Sequence, residues 1–213
     1  MYIFLFSKKI FYIFIRYKQS HTMTTEALFS ELENVIKENI HDLEQNVLSL
    51  TPEQLNWKPR QDVWNVKEVI AHIYEHAKYY HSAFSKKIDT TKFREPKDIF
   101  LSSPLGKSMW NSMKLGNARN VKRKMKAARL YNPLIVKSIV TEHVISDFLA
   151  SQKELLNILE RAKTINIRKA KIRLVGNNVI KFRFGDTLLL VVYHNQRHVQ
   201  QVINLIKHPK FPR

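Results

Sequence analysis

Apolar residues recur at helical spacing in two stretches in the first half of the chain. Residues 25–49 carry them every three or four positions, which predicts a helix capped at its start by Thr24 or Thr25. Asn65 followed by Glu68 has the spacing of a capping box, and the apolar stripe after it predicts a second helix. Two helices are therefore expected before the middle of the chain.

The second half carries two further helical stretches. Residues 134–162 form the third predicted helix, and the fourth runs from a cap at Asp186 to about Lys207. Between the second and third helices, residues 88–133 are basic and interrupted by Pro and Gly, so we expect an irregular connection there. One short helix is expected inside it, at residues 105–115.

These elements predict an all-α fold, a four-helix bundle with a long irregular connection between helices two and three. Residues 172–184, with the turn residues Gly-Asn-Asn at their centre, form either a short hairpin or an extended connection before helix four. The length of 213 residues and the hydrophobic share of 44% indicate one folded domain with a substantial core.

The chain contains no cysteine, which excludes disulfides, thiolate metal sites and thiol catalysis by the protein itself. Any strong metal ligand must therefore be a His, Asp or Glu side chain. The absence of cysteine is consistent with a reducing compartment, and we expect a cytoplasmic protein.

The formal net charge of +18 is concentrated in two segments. Residues 86–129 carry 13 basic and 3 acidic residues, residues 161–183 carry 8 basic residues and no acidic one, and residues 23–85 have a net charge of −5. A solvated basic face is the simplest interpretation, although such segments also attract nucleic acid or an anionic small substrate. We do not expect nucleic acid as a partner, because no helix-turn-helix or zinc-finger pattern is present.

Residues 1–22 differ in composition from the rest of the chain and consist mostly of Phe, Tyr, Ile and Lys. Lys8 and Lys9 divide their apolar run into pieces too short for a bilayer span, and the pattern of a secretory signal is absent. We expect the native protein to begin at Met23, with the extension being translated upstream sequence. An interfacial membrane anchor is the alternative. The predicted domain then covers residues 23–213.

Two histidines of predicted helix four, His194 and His198, are four residues apart and therefore lie on one face, about one turn from each other. Both lie along the apolar stripe, where an imidazole needs a hydrogen bond or a metal ion. Satisfied core histidines and metal ligands are both open at this point. Asn195 stands where a His-Glu-x-x-His zinc protease carries its general base, which argues against that class of enzyme.

Predicted helix two carries a second pair, His72 and His76. In a bundle His72 can face His194 and His198 across the core, and three His ligands with one water form the open coordination of catalytic zinc. Nickel, iron and manganese accept the same ligands. His76 is a fourth ligand, a nearby base or an exposed residue, and we favour the last two because a fourth ligand would close the site.

The other histidines have no partner at ligand spacing. His143 is expected to have a structural role. The remaining ones are expected to be peripheral: His21, His41, His81 and His208.

Three groups of residues resemble a known family. They are LTPEQLNW at residues 50–57 followed by WNVKEVIAHI at residues 64–73, GDTLL at residues 185–189, and HNQRHVQQ at residues 194–201. From Thr24 onward the chain resembles the DinB-like superfamily, which includes the bacillithiol transferase-like proteins. Its middle part matches that family only loosely.

The resemblance implies a four-helix bundle whose His triad, mapped onto His72, His194 and His198, binds a divalent metal ion. It further implies a homodimer and a small-molecule substrate, since characterised relatives include metal-dependent S-transferases that use low-molecular-weight thiols. In a chain without cysteine the thiol must come from a cosubstrate. If that thiol is acidic, basic residues can attract it, for example Lys122, Arg123, Lys124 or Arg173.

Three functions remain open from the sequence. The first is a metal-dependent transferase or hydrolase, and the second is a non-catalytic binding or dimerisation module with a structural or vestigial His triad. The third is a basic protein associated with nucleic acid. Metal content separates the first two, and salt-dependent binding to oligonucleotides tests the third.

Overall fold

The computed structural model describes residues 22–116, 126–177 and 179–213. Within these ranges the elements follow in this order: β1 (Thr22–Thr24), α1 (Thr25–Val47), α2 (Pro52–Asn56), α3 (Val66–Thr90), β2 (Ile99–Leu101), α4 (Pro104–Met113), α5 (Val144–Ala162), β3 (Lys171–Arg173), β4 (Lys181–Arg183) and α6 (Phe184–Ile206). Two single 3₁₀ turns, Arg129–Tyr131 and Lys137–Ile139, precede α5.

The four long helices α1, α3, α5 and α6 pack side by side. Both α1 and α3 contact α5 and α6, and the shorter α4 packs against α6. This confirms the predicted helical fold. Two shorter helices accompany the long ones among the described residues, so the predicted count of four applies only to the long helices.

The predicted starts of the first two long helices are confirmed by their caps. Thr24 Oγ1 accepts a hydrogen bond from Ala27 N at 3.1 Å at the start of α1. At the start of α3, Glu68 N donates to Asn65 Oδ1 at 2.8 Å, while Asn65 N donates to Glu68 Oε2 at 3.0 Å. The capping box therefore fixes the residue at which α3 begins.

The predicted start of the third helix at residue 134 is wrong, because α5 begins only at Val144. Asn132 Oδ1 accepts a hydrogen bond from Leu134 N at 3.1 Å, which turns the chain locally in competition with a helix. Ile135, which has the spacing of a residue on the apolar stripe, is 52% exposed. Its spacing therefore does not mark a core position.

The predicted cap at Asp186 is also wrong, because α6 begins at Phe184 and has no side-chain cap. Asp186 lies within the first turn and is fully buried. Its Oδ2 accepts hydrogen bonds from Ser103 N at 3.0 Å and Ser103 Oγ at 2.8 Å, at the start of α4. The carboxylate therefore joins two helices instead of capping its own.

The segment before α6 is a hairpin, which decides between the two predicted alternatives. Strands β3 and β4 are antiparallel, with Ile172 opposite Phe182. Both of these residues are buried in the core. The alternating residues on the opposite face are all basic.

A second strand pair joins the segment before α1 to the connection that was predicted to be irregular. Strand β1 pairs with β2, and Met23 lies opposite Phe100. Residues 1–21 of the predicted extension lie outside the described residues. Among the described residues, no helix has the length and apolar character needed to cross a bilayer.

The core consists of two hydrophobic clusters. Along the helices, the fully buried polar residues Asn39, Gln152 and Asn195 lie between the positions that build the two clusters. Asn195 Nδ2 donates to Gln152 Oε1 at 3.3 Å, so Asn195 faces the centre of the bundle. The neighbouring His194 consequently lies on a different side of α6.

Candidate metal centre

Two histidine pairs face each other between α3 and α6. The Nε2 atoms of His72 and His194 are 3.4 Å apart. Nitrogen atoms of His72, His76 and His194 all lie within 4.8 Å of one another. His198 is outside that set, but its ring centroid is 4.6 Å from that of His194 and 4.8 Å from that of His72.

The cluster follows from the registers of two adjacent helices. His72 and His76 are four residues apart on α3 and therefore lie on consecutive turns, and His194 and His198 do the same on α6. Because α3 contacts α6 directly, the two pairs meet along their shared contact. The structure thus brings together the three predicted ligands, and it adds His76 to them.

Hydrogen bonds to the Nδ1 atoms of His72 and His198 orient two of the four imidazoles. His72 Nδ1 donates to the carbonyl oxygen of Tyr131 at 2.6 Å. A carbonyl can only accept, so Nδ1 carries the proton and Nε2 presents its lone pair to the cluster. His198 Nδ1 lies 2.9 Å from Gln201 Oε1, and donation to this oxygen leaves His198 Nε2 with a lone pair. Metal-ligating histidines commonly show this arrangement.

The four imidazoles are held in the neutral form. Burial lowers the pKa of His72, and it lowers the pKa values of His194 and His198 well below the usual range for histidine. Burial together with the nearby His72 lowers the pKa of His76 to about 3. A neutral imidazole is the form that binds metal ions.

Aromatic side chains cover part of the cluster. The Trp64 ring centroid is 4.9 Å from that of His72 and 6.2 Å from that of His198. The Tyr131 ring centroid is 4.5 Å from that of His76. His72 is buried, whereas His76, His194 and His198 remain partly exposed. A small molecule can therefore approach the cluster without unfolding the bundle.

The spacing of the nitrogen atoms is suitable for a divalent ion. Two nitrogens that each bind zinc at about 2.0–2.1 Å in tetrahedral geometry lie roughly 3.3–3.4 Å apart. The separation of 3.4 Å between His72 Nε2 and His194 Nε2 agrees with this value. Imidazole nitrogens suit zinc, nickel and iron, so the donor set does not select one of these metals.

Some histidines differ from their predicted positions. His76 is partly buried within the cluster, which excludes the exposed residue and leaves the nearby base of the two alternatives that we favoured. His81 was predicted to be peripheral, but its Nε2 is buried without a hydrogen-bond partner among the described residues, and burial lowers its pKa to about 4. His143 is exposed at the start of α5. His21 and the basic residues 122–124 lie outside the described residues.

Sequence reasoning missed three residues that contact the cluster: Trp64, Tyr131 and Gln201. Gln201 could have been found, because it lies three residues after His198 on the same helix face. Trp64 lies before the start of α3, and Tyr131 lies in a 3₁₀ turn. In such segments no periodic sequence pattern relates a residue to a distant site.

Two cavities are lined by residues that flank the cluster, and neither is lined by one of the four histidines. One, of about 650 Å³, is lined by Trp64 together with Arg129, Asn132 and Leu134. The other, of about 950 Å³, lies between the C-terminal half of α3 and the β3–β4 hairpin. We call the second one the basic groove, and it is lined by Lys78, Tyr79, Ser82, Ala83, Lys86, Lys87, Thr90, Thr91, Phe93, residues 169–173 and Lys181.

Comparison with known proteins identifies a family. The model of the DinB superfamily matches residues 36–202, which is well over half of the chain and includes all four clustered histidines. No curated protein and no solved structure gives a significant match.

Proposed function

The chain belongs to the DinB superfamily, and we propose that it binds a divalent metal ion and acts on a small molecule as a metal-dependent thiol transferase or hydrolase. The proposed ligands are His72, His194 and His198. The metal is zinc, nickel, iron or manganese, and the partner is a small-molecule substrate together with a low-molecular-weight thiol or water.

The observation that carries this proposal is the separation of 3.4 Å between His72 Nε2 and His194 Nε2. The Tyr131 carbonyl keeps the proton of His72 on Nδ1, so the lone pair on Nε2 is directed at His194. His198 supports the proposal as third ligand because Gln201 holds its Nδ1 in the same way.

The surroundings of the cluster suit chemistry on a small molecule. Trp64 and Tyr131 cover part of the histidines and limit the access of water. A bound divalent ion would lower the pKa of a coordinated thiol or water, which supplies a nucleophile at neutral pH. The chain has no cysteine, so it supplies the positions of the ligands and the shape of the site, while the thiol comes from a cosubstrate.

Metal analysis tests the centre. The protein is purified without metal-affinity chromatography, and its metal content is measured for the wild type and for His72→Ala, His194→Ala and His198→Ala. We expect about one ion per chain in the wild type and loss of the ion in each variant. The exposed His143→Ala is the matched control and should keep the ion. Full metal content in all three cluster variants would refute the proposed ligands.

A second measurement separates catalysis from simple binding. The metal-loaded protein is incubated with a panel of thiols and electrophiles, and product formation is compared with that of the His194→Ala variant. Turnover that depends on His194 supports the transferase or hydrolase. A protein that keeps its ion and its stability but turns over no member of the panel would favour the non-catalytic module.

A further inference from the structure

The basic groove is strongly cationic. Seven of its fifteen lining residues are Lys or Arg, and none is Asp or Glu. Lys78 forms an ion pair with Glu75. The other six basic residues have no ion-pair partner among the described residues: Lys86, Lys87, Lys169, Lys171, Arg173 and Lys181. Such a concentration of unpaired positive charge in a concave site attracts anions.

The hairpin wall of the groove places like charges opposite each other. Arg173 on β3 is the direct cross-strand partner of Lys181 on β4, and both line the groove. Lys171 lies opposite Arg183 in the same way. Like charges in directly opposed positions destabilise a strand pair. An anion bound between Arg173 and Lys181 would remove this repulsion.

The groove is a continuation of the helix face that carries the histidines. His72, His76, Tyr79, Ala83, Lys86 and Thr90 follow one another at alternating spacings of four and three residues, so they form one stripe along α3. With a rise of 1.5 Å per residue, Ala83 lies about 10 Å beyond His76 along the helix axis, and Lys86 about 15 Å. A ligand of that length can occupy both ends of the stripe.

The hairpin is held against α3 directly after the histidines. Tyr79 Oη donates to the Arg173 carbonyl at 3.3 Å, and Val175 N donates to Tyr80 Oη at 3.2 Å. The rings of His76 and Tyr80 are stacked at 6.5 Å. These contacts connect the position of Arg173 to that of the histidine cluster.

We infer that the basic groove binds the anionic end of a small molecule, carrying phosphate, phosphonate or carboxylate groups, whose other end reaches the His72–His194 cluster. The cavity of about 950 Å³ is of the size of small-molecule sites. The second half of this inference rests on the proposed metal centre. The first half, binding of the anion, stands on the groove alone.

Three probes test the two halves separately by calorimetric titration. Hexylphosphonate reports on the groove, hexanohydroxamate reports on a metal ion at the centre, and 6-phosphonohexanohydroxamate joins the two groups. We expect the joined probe to bind at least about tenfold more tightly than hexanohydroxamate, because its second contact is intramolecular. The affinity of hexylphosphonate should fall as salt increases.

The variant Arg173→Glu separates binding from stability. It should weaken the binding of hexylphosphonate at least about tenfold and remove the additional affinity of the joined probe. The affinity for hexanohydroxamate should stay unchanged. The variant should at the same time raise the urea midpoint of unfolding, because the introduced carboxylate would face Lys181 as an opposite charge. Lys153→Glu, an equal change of charge at an exposed position of α5 outside the groove, should leave the binding of all three probes unchanged.

Each failure points to a different part of the inference. If Arg173→Glu binds hexylphosphonate as the wild type does, the groove is not the anion site. If the joined probe binds no more tightly than hexanohydroxamate, a ligand in the groove does not reach the cluster. If hexanohydroxamate itself does not bind while hexylphosphonate does, the metal centre fails and the groove stands. If an oligothymidylate binds more tightly than hexylphosphonate and loses its affinity in Arg173→Glu, the groove serves nucleic acid instead of a small molecule.

Discussion

His72 of α3 and His194 of α6 are 122 residues apart in the chain, yet their Nε2 atoms lie 3.4 Å apart. The pair depends on the capping box at the start of α3 and on the Tyr131 carbonyl, which is 59 residues from His72 in the chain and orients the His72 ring. Two further histidines, His76 and His198, border the pair. The proposed centre takes His198 as its third ligand, and His76 is the alternative that the cluster also offers.

We predict that His198→Ala weakens metal binding far more than His76→Ala. Gln201 fixes the tautomer of His198, whereas His76 has no such hydrogen bond among the described residues. Loss of a ligand should cost more than the roughly 10–100-fold that the loss of a supporting group costs, and His76→Ala should cost less than about tenfold. The measurement is a competition titration with a chelating dye. If His76→Ala has the larger effect, the triad is His72, His76 and His194.

Replacing Gln201 tests how far metal binding by His198 depends on the hydrogen bond that orients its ring. Gln201→Leu removes the acceptor for His198 Nδ1 and should weaken metal affinity about 10–100-fold, since the ring loses its fixed tautomer and orientation. Gln201→Glu keeps an acceptor and should retain the affinity. Gln196→Leu is the matched control on the same helix. Equal affinities for the Leu variants at 196 and 201 would show that this hydrogen bond does not support the centre.

Much of the bundle follows from local sequence rules. The caps at Thr24 and Asn65 were predicted because each depends on residues close together in the chain, and for this reason the hairpin between β3 and β4 was one of the two predicted alternatives. The His pairs on α3 and α6 were predicted for the same reason, since a spacing of four residues sets a shared helix face.

The errors concern contacts between distant residues. Asp186 has the features of a helix cap, but its carboxylate accepts hydrogen bonds from Ser103, which is 83 residues away. The contribution of Tyr131 is a backbone carbonyl, which any residue type provides, so the sequence gives no sign of it. The sequence left His76 open between a nearby base and an exposed residue, because the packing of α3 against α6, and not the spacing within α3, decides how much of that face is covered.

The contact between α4 and α6 leaves no room for a side chain at Gly106. A Cβ atom there would lie 2.2 Å from Asp186 Oδ2, the atom that Ser103 holds. We predict that Gly106→Ala lowers the free energy of unfolding by about 1–3 kcal/mol, as overpacking of a buried contact does.

Urea unfolding of a double-mutant cycle checks the cause. Asp186→Ala should itself destabilise the protein, because Ser103 loses its acceptor. It removes Oδ2 and Cγ, the two atoms closest to a Cβ at Gly106, but keeps the Asp186 Cβ, which would lie 2.7 Å away. The clash is therefore relieved in part, and the double variant should be more stable than the sum of the two single effects implies. Ser108→Ala, at an exposed position of α4, should stay within about 0.5 kcal/mol of the wild type. Strict additivity of Gly106→Ala and Asp186→Ala would contradict the proposed clash.

His81 should make the stability of the metal-free protein depend on pH. Burial lowers the pKa of His81 to about 4 in the folded state, although Glu154 acts in the opposite direction. The unfolded chain has the ordinary histidine pKa of about 6.5. Between these values the unfolded chain binds a proton that the folded chain does not. The free energy of unfolding therefore decreases as pH falls from about 6.5 to about 4, by at most about 3 kcal/mol, and this contribution is constant above and below that range.

The measurement is urea unfolding at several pH values between 4 and 8, in the presence of a chelator, for the wild type and His81→Leu. The histidine cluster titrates in both proteins, so the difference between the two curves isolates residue 81. We expect the wild type to lose stability relative to His81→Leu as the pH falls through this range. A constant difference between wild type and His81→Leu at all pH values would mean that His81 titrates normally in the folded protein, and that its Nε2 reaches water or an acceptor despite its burial.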